Sequence, residues 1–251
     1  MSLLVTQGLT KQFGELRAVD RVDFTVRPAE VLALIGSNGA GKTTLVNLIS
    51  GLFPPDAGTI HFLGVDVTAQ TVHDRIKAGI ARSFQLVNLF DQLSALDNVA
   101  LSIFSRGDKT RKLFALAASD RAVWEEGFEI LKTFGLEAKA GVLAGGLSQG
   151  ERKLLDVAVA YALRPKLLFL DEPTSGVSTR EKAPIMDTVT SIVRSEGISA
   201  AIIEHDMDVV FRYSDRIVVM HQGAILADGS PEEIRSNATV TATLIGTATG
   251  A

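Results

Sequence analysis

The sequence predicts an α/β fold built on a parallel sheet, and three observations support this prediction. Residues 31–35 are continuously apolar, as expected for a strand that helices cover on both faces. A glycine-rich loop and a helical stretch follow directly, and the helix is expected to end at Gly51, before Pro54 and Pro55. Further short apolar strands are expected along the same sheet, at residues 167–170, 200–203 and 217–220.

The composition restricts the class of protein. The chain has 251 residues, of which 46% are hydrophobic, so it can bury a sizeable core and is not expected to be disordered. The net charge is −4 and the pI about 5.6, whereas a dedicated nucleic-acid binder would usually carry a basic face. We therefore expect no nucleic-acid partner. Because the chain has no cysteine, disulfides, zinc–thiolate sites and iron–sulfur clusters are excluded.

Membrane insertion is not expected for this chain. No stretch approaches the ~18 continuous apolar residues that a membrane-spanning helix requires. The N-terminus lacks the basic segment and long apolar run of a signal peptide. If the protein serves a membrane process, we expect another chain to supply the pore.

Two other regions have the pattern of antiparallel strands. Residues 3–30 are expected to be mainly strands, since apolar and polar residues alternate over residues 22–27. A further strand is expected at residues 59–62. Near the C-terminus, the strand at 217–220 is expected to turn into a partner at 224–227 and form a hairpin.

The middle of the chain, residues 86–163, has a helical pattern. Trp124, Phe128 and Leu131 fall at positions i, i+4 and i+7, and we expect them to form a packed helix face. Residues 236–251 show little periodicity and are expected to be a loosely held C-terminal tail.

The loop after the first buried strand fits the pattern G-x-x-x-x-G-K-[ST] of phosphate-binding loops. Glycines allow backbone N–H groups to surround phosphate oxygens, and the following helix N-terminus adds partial positive charge. Lys42 is expected to reach the β- and γ-phosphates of a nucleoside triphosphate, and the Thr43 hydroxyl to ligate Mg²⁺. The residues predicted to contact the nucleotide here are Gly36, Ser37, Asn38, Gly39, Ala40, Gly41, Lys42, Thr43 and Thr44.

Two carboxylates end the apolar strand at residues 167–170, where α/β sheets place their ligand sites. Asp171 is expected to hold Mg²⁺, and Glu172 to accept a proton from an attacking water. A pair of solvated carboxylates is the alternative. Their position between the apolar strand and the segment Pro173-Thr174-Ser175-Gly176 favours the functional interpretation.

A third segment, Leu147-Ser148-Gln149-Gly150-Glu151, combines a helix start with an unusual glycine. Ser148 and Glu151 form an S-x-x-E capping box, which alone would indicate only a well-made helix. Capping does not explain Leu147 or Gly150. The helix is expected to end before Pro165.

Together the phosphate loop, the LSxGE-type segment and the strand ending Asp-Glu resemble the ATP-binding subunits of ABC transporters, over nearly the whole chain. The resemblance implies a RecA-like P-loop NTPase core with an antiparallel β-layer and a helical subdomain. The ATP-binding core with its β-layer would occupy residues 1–85, the helical subdomain with the signature residues 86–163, and the second part of the core residues 164–235. The tail would be residues 236–251.

The resemblance also implies further roles, with ATP as nucleotide and Mg²⁺ as its metal. Gln85 matches the family's glutamine that contacts Mg²⁺ or the attacking water, and His205 matches the switch histidine that orients Glu172. Phe13 is the expected adenine-stacking aromatic, with a core position as the alternative. Ser148 and the Gly150 amide would face the γ-phosphate bound by an opposite subunit. The implied catalytic set is Glu172, His205, Gln85 and Lys42, and the implied metal set is Thr43, Gln85 and Asp171.

The sequence departs from the family pattern at two positions in its motifs, and its final residues lack the aromatic residue that is usual near the end of the importer ATPases. Ser37 stands where proline is frequent. Ser178 stands where Asp or Asn commonly links the two ATP sites, so communication through this position is expected to be weakened.

Within the family, segments around Gln85, His205 and Gly229 are similar to ATPases of branched-chain amino acid importers. The implied partners are integral membrane permeases, a second identical or homologous ATPase and, indirectly, a substrate-binding protein. The implied location is cytoplasmic, on the inner face of the cell membrane. A urea or short-amide importer, or an exporter or lipopolysaccharide-extracting system, remains the alternative.

Other classes of ATP-binding protein fit the sequence less well. A chromosome-maintenance ATPase needs a long coiled coil between the phosphate loop and the signature, and translation-associated ABC proteins carry two ATPase units. A small-molecule kinase would leave the signature segment and His205 unused.

Overall fold

The computed structural model describes residues 2–83, 89–106 and 121–245, and for residues 244 and 245 only the backbone. The strands are β1 (Leu4–Phe13), β2 (Leu16–Val22), β3 (Thr25–Val26), β4 (Val31–Ile35), β5 (Ala57–Phe62), β6 (Val65–Asp66), β7 (Ile80–Arg82), β8 (Leu167–Asp171), β9 (Ser199–Ile203), β10 (Arg216–His221) and β11 (Ala224–Gly229). The α-helices are α1 (Lys42–Ser50), α2 (Val72–Ala78), α3 (Ala95–Arg106), α4 (Arg121–Thr133), α5 (Gln149–Tyr161), α6 (Thr179–Ser195), α7 (Met207–Tyr213), α8 (Pro231–Ser236) and α9 (Ala238–Ile245).

The main sheet has six strands in the order β11-β10-β4-β9-β8-β7. Neighbours from β10 to β7 pair in parallel, and β11 pairs antiparallel with β10, which confirms the predicted parallel sheet and its hairpin. All five residues of β4 are buried. Leu32 and Leu34 pack with α1 and β1, whereas Ala33 and Ile35 pack with α7 and α8, so β4 is covered on both faces as its apolar run predicts.

The second sheet is antiparallel and has the order β2-β1-β5-β6, with β3 also pairing with β1. The prediction of one alternating strand over residues 22–27 is wrong, because β2 ends at Val22 and β3 comprises only Thr25 and Val26. The side chain of Thr6 explains the interruption. Its hydroxyl donates to the Val22 carbonyl and accepts from the Phe24 amide, each at 2.9 Å, and so replaces a regular ladder bond.

Helices α3, α4 and α5 lie in the region predicted to be helical, and their apolar faces belong to one buried cluster with α6 and β8. The predicted face of α4 is only partly correct. Leu131 is fully buried and Trp124 packs against the cluster, but Phe128 is 41% exposed. The buried face of α4 instead consists of Val123, Gly127, Ile130 and Leu131.

The C-terminal segment is more ordered than expected. Helix α9 covers the first part of the predicted tail, and Val240 is buried, 3% exposed, against β10 and α8. Residues 246–251 lie outside the described residues. Among the helices that the structure describes, none is long and apolar enough to cross a membrane.

Candidate active site: a phosphate cleft and a base

The phosphate loop, residues 36–43, connects β4 to α1. Its glycines are required by the chain itself. A Cβ on Gly36 would lie 2.2 Å from the Met220 carbonyl oxygen, and one on Gly41 would lie 2.3 Å from the Ala18 carbonyl oxygen. Gly41 also has φ 100° and forms the N-cap of α1, a backbone conformation that L side chains rarely adopt. At Gly36 and Gly41 the loop therefore runs against neighbouring backbones, where no side chain fits.

Lys42 folds back over this loop. Its Nζ donates to the carbonyls of Gly36 at 2.7 Å and Ser37 at 3.1 Å, and the residue is 6% exposed. Burial lowers the pKa of Lys42, while the carboxylates of Glu172 and Asp171 oppose that shift. The cation thus lies at the loop where an anionic ligand would be held.

An open cleft of about 290 Å³ lies above the loop. Most of the predicted site residues line it, although they come from distant parts of the chain. The lining consists of Phe13, Leu16, Ala18, Asn38, Gly39, Ala40, Gly41, Lys42, Thr43, Thr44, Asp171, Glu172, Ile203 and His205. The cleft therefore joins the phosphate loop, the predicted aromatic and the two carboxylates with His205.

Glu172 occupies a strained backbone conformation next to His205. Its φ of 50° lies in the left-handed region, which is costly for a residue with a side chain. Its amide donates to the Ile203 carbonyl at 2.8 Å, and its Oε1 lies 3.2 Å from His205 Nε2. The adjacent parallel strands β8 and β9 end together, so they bring the base and the histidine to one edge of the sheet.

A second, buried carboxylate, that of Glu204, forms hydrogen bonds with the segments that carry Glu172 and His205. Glu204 is 4% exposed and accepts hydrogen bonds from the amide and hydroxyl of Thr174, at 2.9 and 2.6 Å. Its other oxygen accepts from the His205 amide at 3.1 Å. Glu204 therefore ties the loop after β8 to the residue that faces Glu172.

Asp171 is 3% exposed, and Arg82 of β7 pairs with it at 2.5 Å. The same guanidinium donates to the side-chain oxygen of Asn47 on α1. The sequence motifs predict no role for Arg82, although a charged residue that follows Ile80 and Ala81 in a short apolar strand is a signal for one. Arg82 neutralises the carboxylate and joins it to the helix that follows the phosphate loop.

The side chains of the cleft can supply only some of the ligands of a Mg²⁺ ion. Thr43 and Asp171 line the same cleft and offer the hard oxygen donors that Mg²⁺ prefers. Within the described ranges, no group of three or more His, Cys, Asp or Glu side chains could hold a metal ion. Phosphate oxygens and water would have to supply the remaining ligands, as is usual for nucleotide-bound Mg²⁺.

Phe13 lies at the rim of the cleft and not in a core, since it is 45% exposed. Its ring meets Phe53 edge-on at 5.7 Å between centroids, and Lys11 Nζ lies 5.7 Å from the ring centre. Leu16, for which no motif predicts a role, also lines the cleft and is 67% exposed. One face of an aromatic ring held in this way is suited to stack on a nucleobase.

The signature segment, residues 147–151, does not line this cleft. Ser148 forms the predicted capping box, because its hydroxyl accepts from the Glu151 amide at 3.2 Å and its amide donates to Glu151 Oε2 at 2.8 Å. Ser148 and Gln149 are exposed, whereas Gly150 is buried against Glu181 and Ile185 of α6. The structure thus separates these predicted nucleotide contacts from the phosphate loop of the same chain.

Gln85 and Ser178 are the two remaining positions named in the sequence. Gln85 lies outside the described residues. Ser178, the departure from the family pattern, caps α6, and its amide and hydroxyl donate to Glu181 Oε2 at 3.1 and 2.6 Å. Ser178 therefore stabilises the N-terminus of α6 in its own chain.

Comparison with known proteins decides the family. The sequence profile described as ABC transporter matches residues 19–175. The chain belongs to the ABC transporter family. This ABC protein is 36% identical, over 251 residues covering 98% of both chains, to a high-affinity branched-chain amino acid transport ATP-binding protein, BraF, of Pseudomonas aeruginosa. It is 33% identical, over 257 aligned positions and again 98% of both chains, to the protein of the same description, LivG, of Escherichia coli K12.

Solved structures agree with this assignment. A nucleotide-free ATP-binding cassette from an ABC transporter superposes with a TM-score of 0.87 at 32% identity, covering 96% of this chain and 98% of that one. The ADP conformation of such a cassette gives 0.86 at 31% identity, covering 98% and 99%. The predicted ABC ATPase fold is confirmed, and the protein is a nucleotide-binding ATPase of this family.

Proposed function

We propose that this ABC protein is the ATP-hydrolysing subunit of an importer, and that it energises uptake of branched-chain or related amino acids through separate permease subunits. Full-length similarity to ATP-binding proteins of branched-chain amino acid transport supports the substrate class. The observation that carries the hydrolytic function is the contact between Glu172 and His205 at the edge of the phosphate cleft.

In the proposed mechanism the chain's own groups bind the triphosphate, orient a water and take its proton. The phosphate loop surrounds the phosphates, and Lys42 turns from the loop carbonyls towards the β- and γ-phosphates. Glu172 accepts the proton of the attacking water, and His205 holds the Glu172 carboxylate in place. Thr43, Asp171 and Gln85 would hold Mg²⁺, which supplies charge neutralisation at the phosphates.

The second half of the ATP site would come from another ATPase subunit, identical or homologous. Ser148 is exposed at the start of α5, and its hydroxyl can donate as well as accept a hydrogen bond. A helix N-terminus also attracts phosphate. We propose that Ser148 and the first turn of α5, with Gly150, complete the ATP site of the opposite subunit, so that ATP favours the closed pair.

We propose integral membrane permeases as the partners of this subunit, which would bind them at the inner face of the cell membrane. A substrate-binding protein would be an indirect partner. Similarity to relatives that are named as ATP-binding proteins of transport systems supports this proposal. We also propose that residues 86–163 form the helical subdomain and that residues 1–85 and 164–235 form the ATP-binding core.

Uptake measurements test the physiological claim. Cells lacking this gene are assayed for labelled leucine, isoleucine and valine beside urea and short amides, and complemented with wild type or Glu172→Gln. We expect loss of branched-chain uptake that only the wild-type gene restores.

Normal branched-chain uptake with lost urea uptake would contradict the substrate class and leave the ATPase in place. Normal uptake of every compound, together with an envelope defect, would contradict the importer assignment and support the exporter-like alternative.

A further inference from the structure

Helix α5 carries a buried lysine that neither the motif nor the proposed mechanism uses. Lys153 is 5% exposed. It lies on the buried side of α5, together with Gly150, Val157 and Ala160, where an amphipathic helix ordinarily has apolar residues. A lysine is almost never fully buried unless its ammonium group is paired. Its contacts should therefore reveal a specific role.

The ammonium group of Lys153 contacts the backbone of the predicted base. Its Nζ donates to the Glu172 carbonyl at 2.9 Å and to the Ser175 hydroxyl, also at 2.9 Å. Burial lowers the pKa of Lys153, and the carboxylates of Asp156 and Glu172 are the largest opposing influences. One cation on α5 thus reaches the loop that follows β8.

This contact joins several others around Glu172. The amide of Glu172 is held by Ile203 of β9, and its carboxylate faces His205. Its carbonyl accepts from Lys153 Nζ at 2.9 Å and from the Ser175 amide of the same loop at 3.1 Å. A non-glycine residue with φ 50° persists only where its surroundings fix it. Without the Lys153 contact, the Glu172 carbonyl would keep the hydrogen bond from the Ser175 amide, which lies in the same loop, but would lose its bond to α5. The loop could then shift, and the Glu172 peptide could relax towards an ordinary conformation. The carboxylate would then move relative to the cleft.

We propose that Lys153 is a positioning residue that holds the Glu172 peptide in its left-handed conformation, and so links the signature helix to the base of the chain's own ATP site. The inference rests on the proposed role of Glu172 as base. Lys153 follows Ser148 by five residues on α5, about 7.5 Å along the helix axis. The helix that would complete the opposite ATP site therefore also sets the geometry of the base at its own site.

The test compares three variants of the full-length chain in the assembled transporter. Lys153→Met removes the donor and the charge and keeps the length of the side chain. Lys153→Arg keeps both a donor and the charge. Ser175→Ala is the matched control, because it removes the second acceptor of Lys153 and leaves the contact with the Glu172 carbonyl.

For Lys153→Met we expect kcat to fall on the order of 10–100-fold, since a shift of about 1 Å in a reacting group has effects of this size. KM and ATP affinity should stay within about twofold, because the variant removes nothing that binds ATP. The thermal midpoint should fall, because Lys153→Met leaves the buried carboxylate of Asp156 without the Lys153 cation. The kcat is therefore measured well below the midpoint, where the variant is folded. The variant should still form the ATP-bound pair. Lys153→Arg should restore most of kcat, and Ser175→Ala should retain it.

A wild-type kcat for Lys153→Met would overturn the proposal. So would a kcat that falls only in step with ATP affinity at a temperature where the variant is folded, since that is the behaviour of a merely structural residue. If Lys153→Met fails to fold, Lys153→Gln provides the same comparison with a polar, shorter side chain, and an unchanged kcat there also overturns the proposal. Full turnover of Glu172→Gln would instead contradict the proposed function itself.

Discussion

The phosphate loop and the signature segment both contain glycines in motifs, but the chain constrains them differently. At Gly36 and Gly41 a Cβ would collide with backbone carbonyls at 2.2 and 2.3 Å. At Gly150 the nearest atom to an added Cβ is Glu181 Oε1 at 3.4 Å, an ordinary contact. Contacts within one chain therefore explain the glycines at 36 and 41. The described contacts of the chain do not explain a glycine at 150. This difference agrees with the proposal that Gly150 serves a contact with the opposite subunit.

The largest expected effect concerns the base beside the loop. Glu172→Gln should lower ATP hydrolysis on the order of 10²–10⁴-fold, because the amide cannot accept the proton of water. ATP affinity should be retained, since the phosphate loop is unchanged. Turnover of the assembled transporter and ATP binding are the two measurements.

Glu126→Gln is the matched control, because Glu126 is a paired carboxylate on α4, away from the cleft. Near-normal turnover of Glu172→Gln would remove Glu172 from the role of base.

A pair of glycine variants tests whether the phosphate loop and the signature segment need their glycines for different reasons. Gly41→Ala should lower the free energy of unfolding by about 1–3 kcal/mol through backbone strain and should abolish ATP binding. Gly150→Ala should leave stability unchanged or raise it by about 0.5–1 kcal/mol, because alanine is the better helix residue. It should nevertheless impair ATP-driven pairing with the other ATPase. Chemical denaturation, ATP titration and sedimentation measure the three quantities. Equal destabilisation by the two variants would contradict the difference between the loop and the signature.

The smallest expected change in stability concerns Ser148. Asp and Asn cap helices about as well as Ser, so Ser148→Asp and Ser148→Asn should both keep the thermal midpoint. Only the Asp variant places an anion where the γ-phosphate of the opposite subunit would lie. ATP affinity of the single subunit should be unchanged in both, and ATP-driven pairing should be lost with Asp and largely kept with Asn. Weakened ATP binding by the isolated Ser148→Asp subunit would show that Ser148 serves its own site.

The parts that sequence could predict are those specified by local pattern. The buried strand β4, the phosphate loop and α1 follow one another in the chain, so a single motif with its flanks determines them. His205 and Glu172 meet because β8 and β9 are neighbours and end at the same edge. That contact was expected from the family resemblance.

The parts that sequence could not predict depend on contacts between distant segments. Thr6 interrupts β2 and β3 through its hydroxyl, Arg82 reaches Asp171 across paired strands, and Lys153 reaches the Glu172 carbonyl from another helix. The buried face of α4 was misassigned because apolar residues occur on both sides of that helix, and only packing decides which side is covered. None of these contacts has a period or a spacing that a single sequence displays.

The central claim is that each ATP site uses the phosphate loop of one subunit and the signature of another. Hydrogen exchange of Glu172→Gln in the assembled transporter, with and without ATP, tests it directly by following residues 36–44 and 147–153. ATP should protect the amides of both segments. When Ser148→Asp is added, protection should remain at 36–44 and disappear at 147–153. Protection of 147–153 by ATP in a subunit that stays monomeric, or its absence in the assembled Glu172→Gln transporter, would contradict the account.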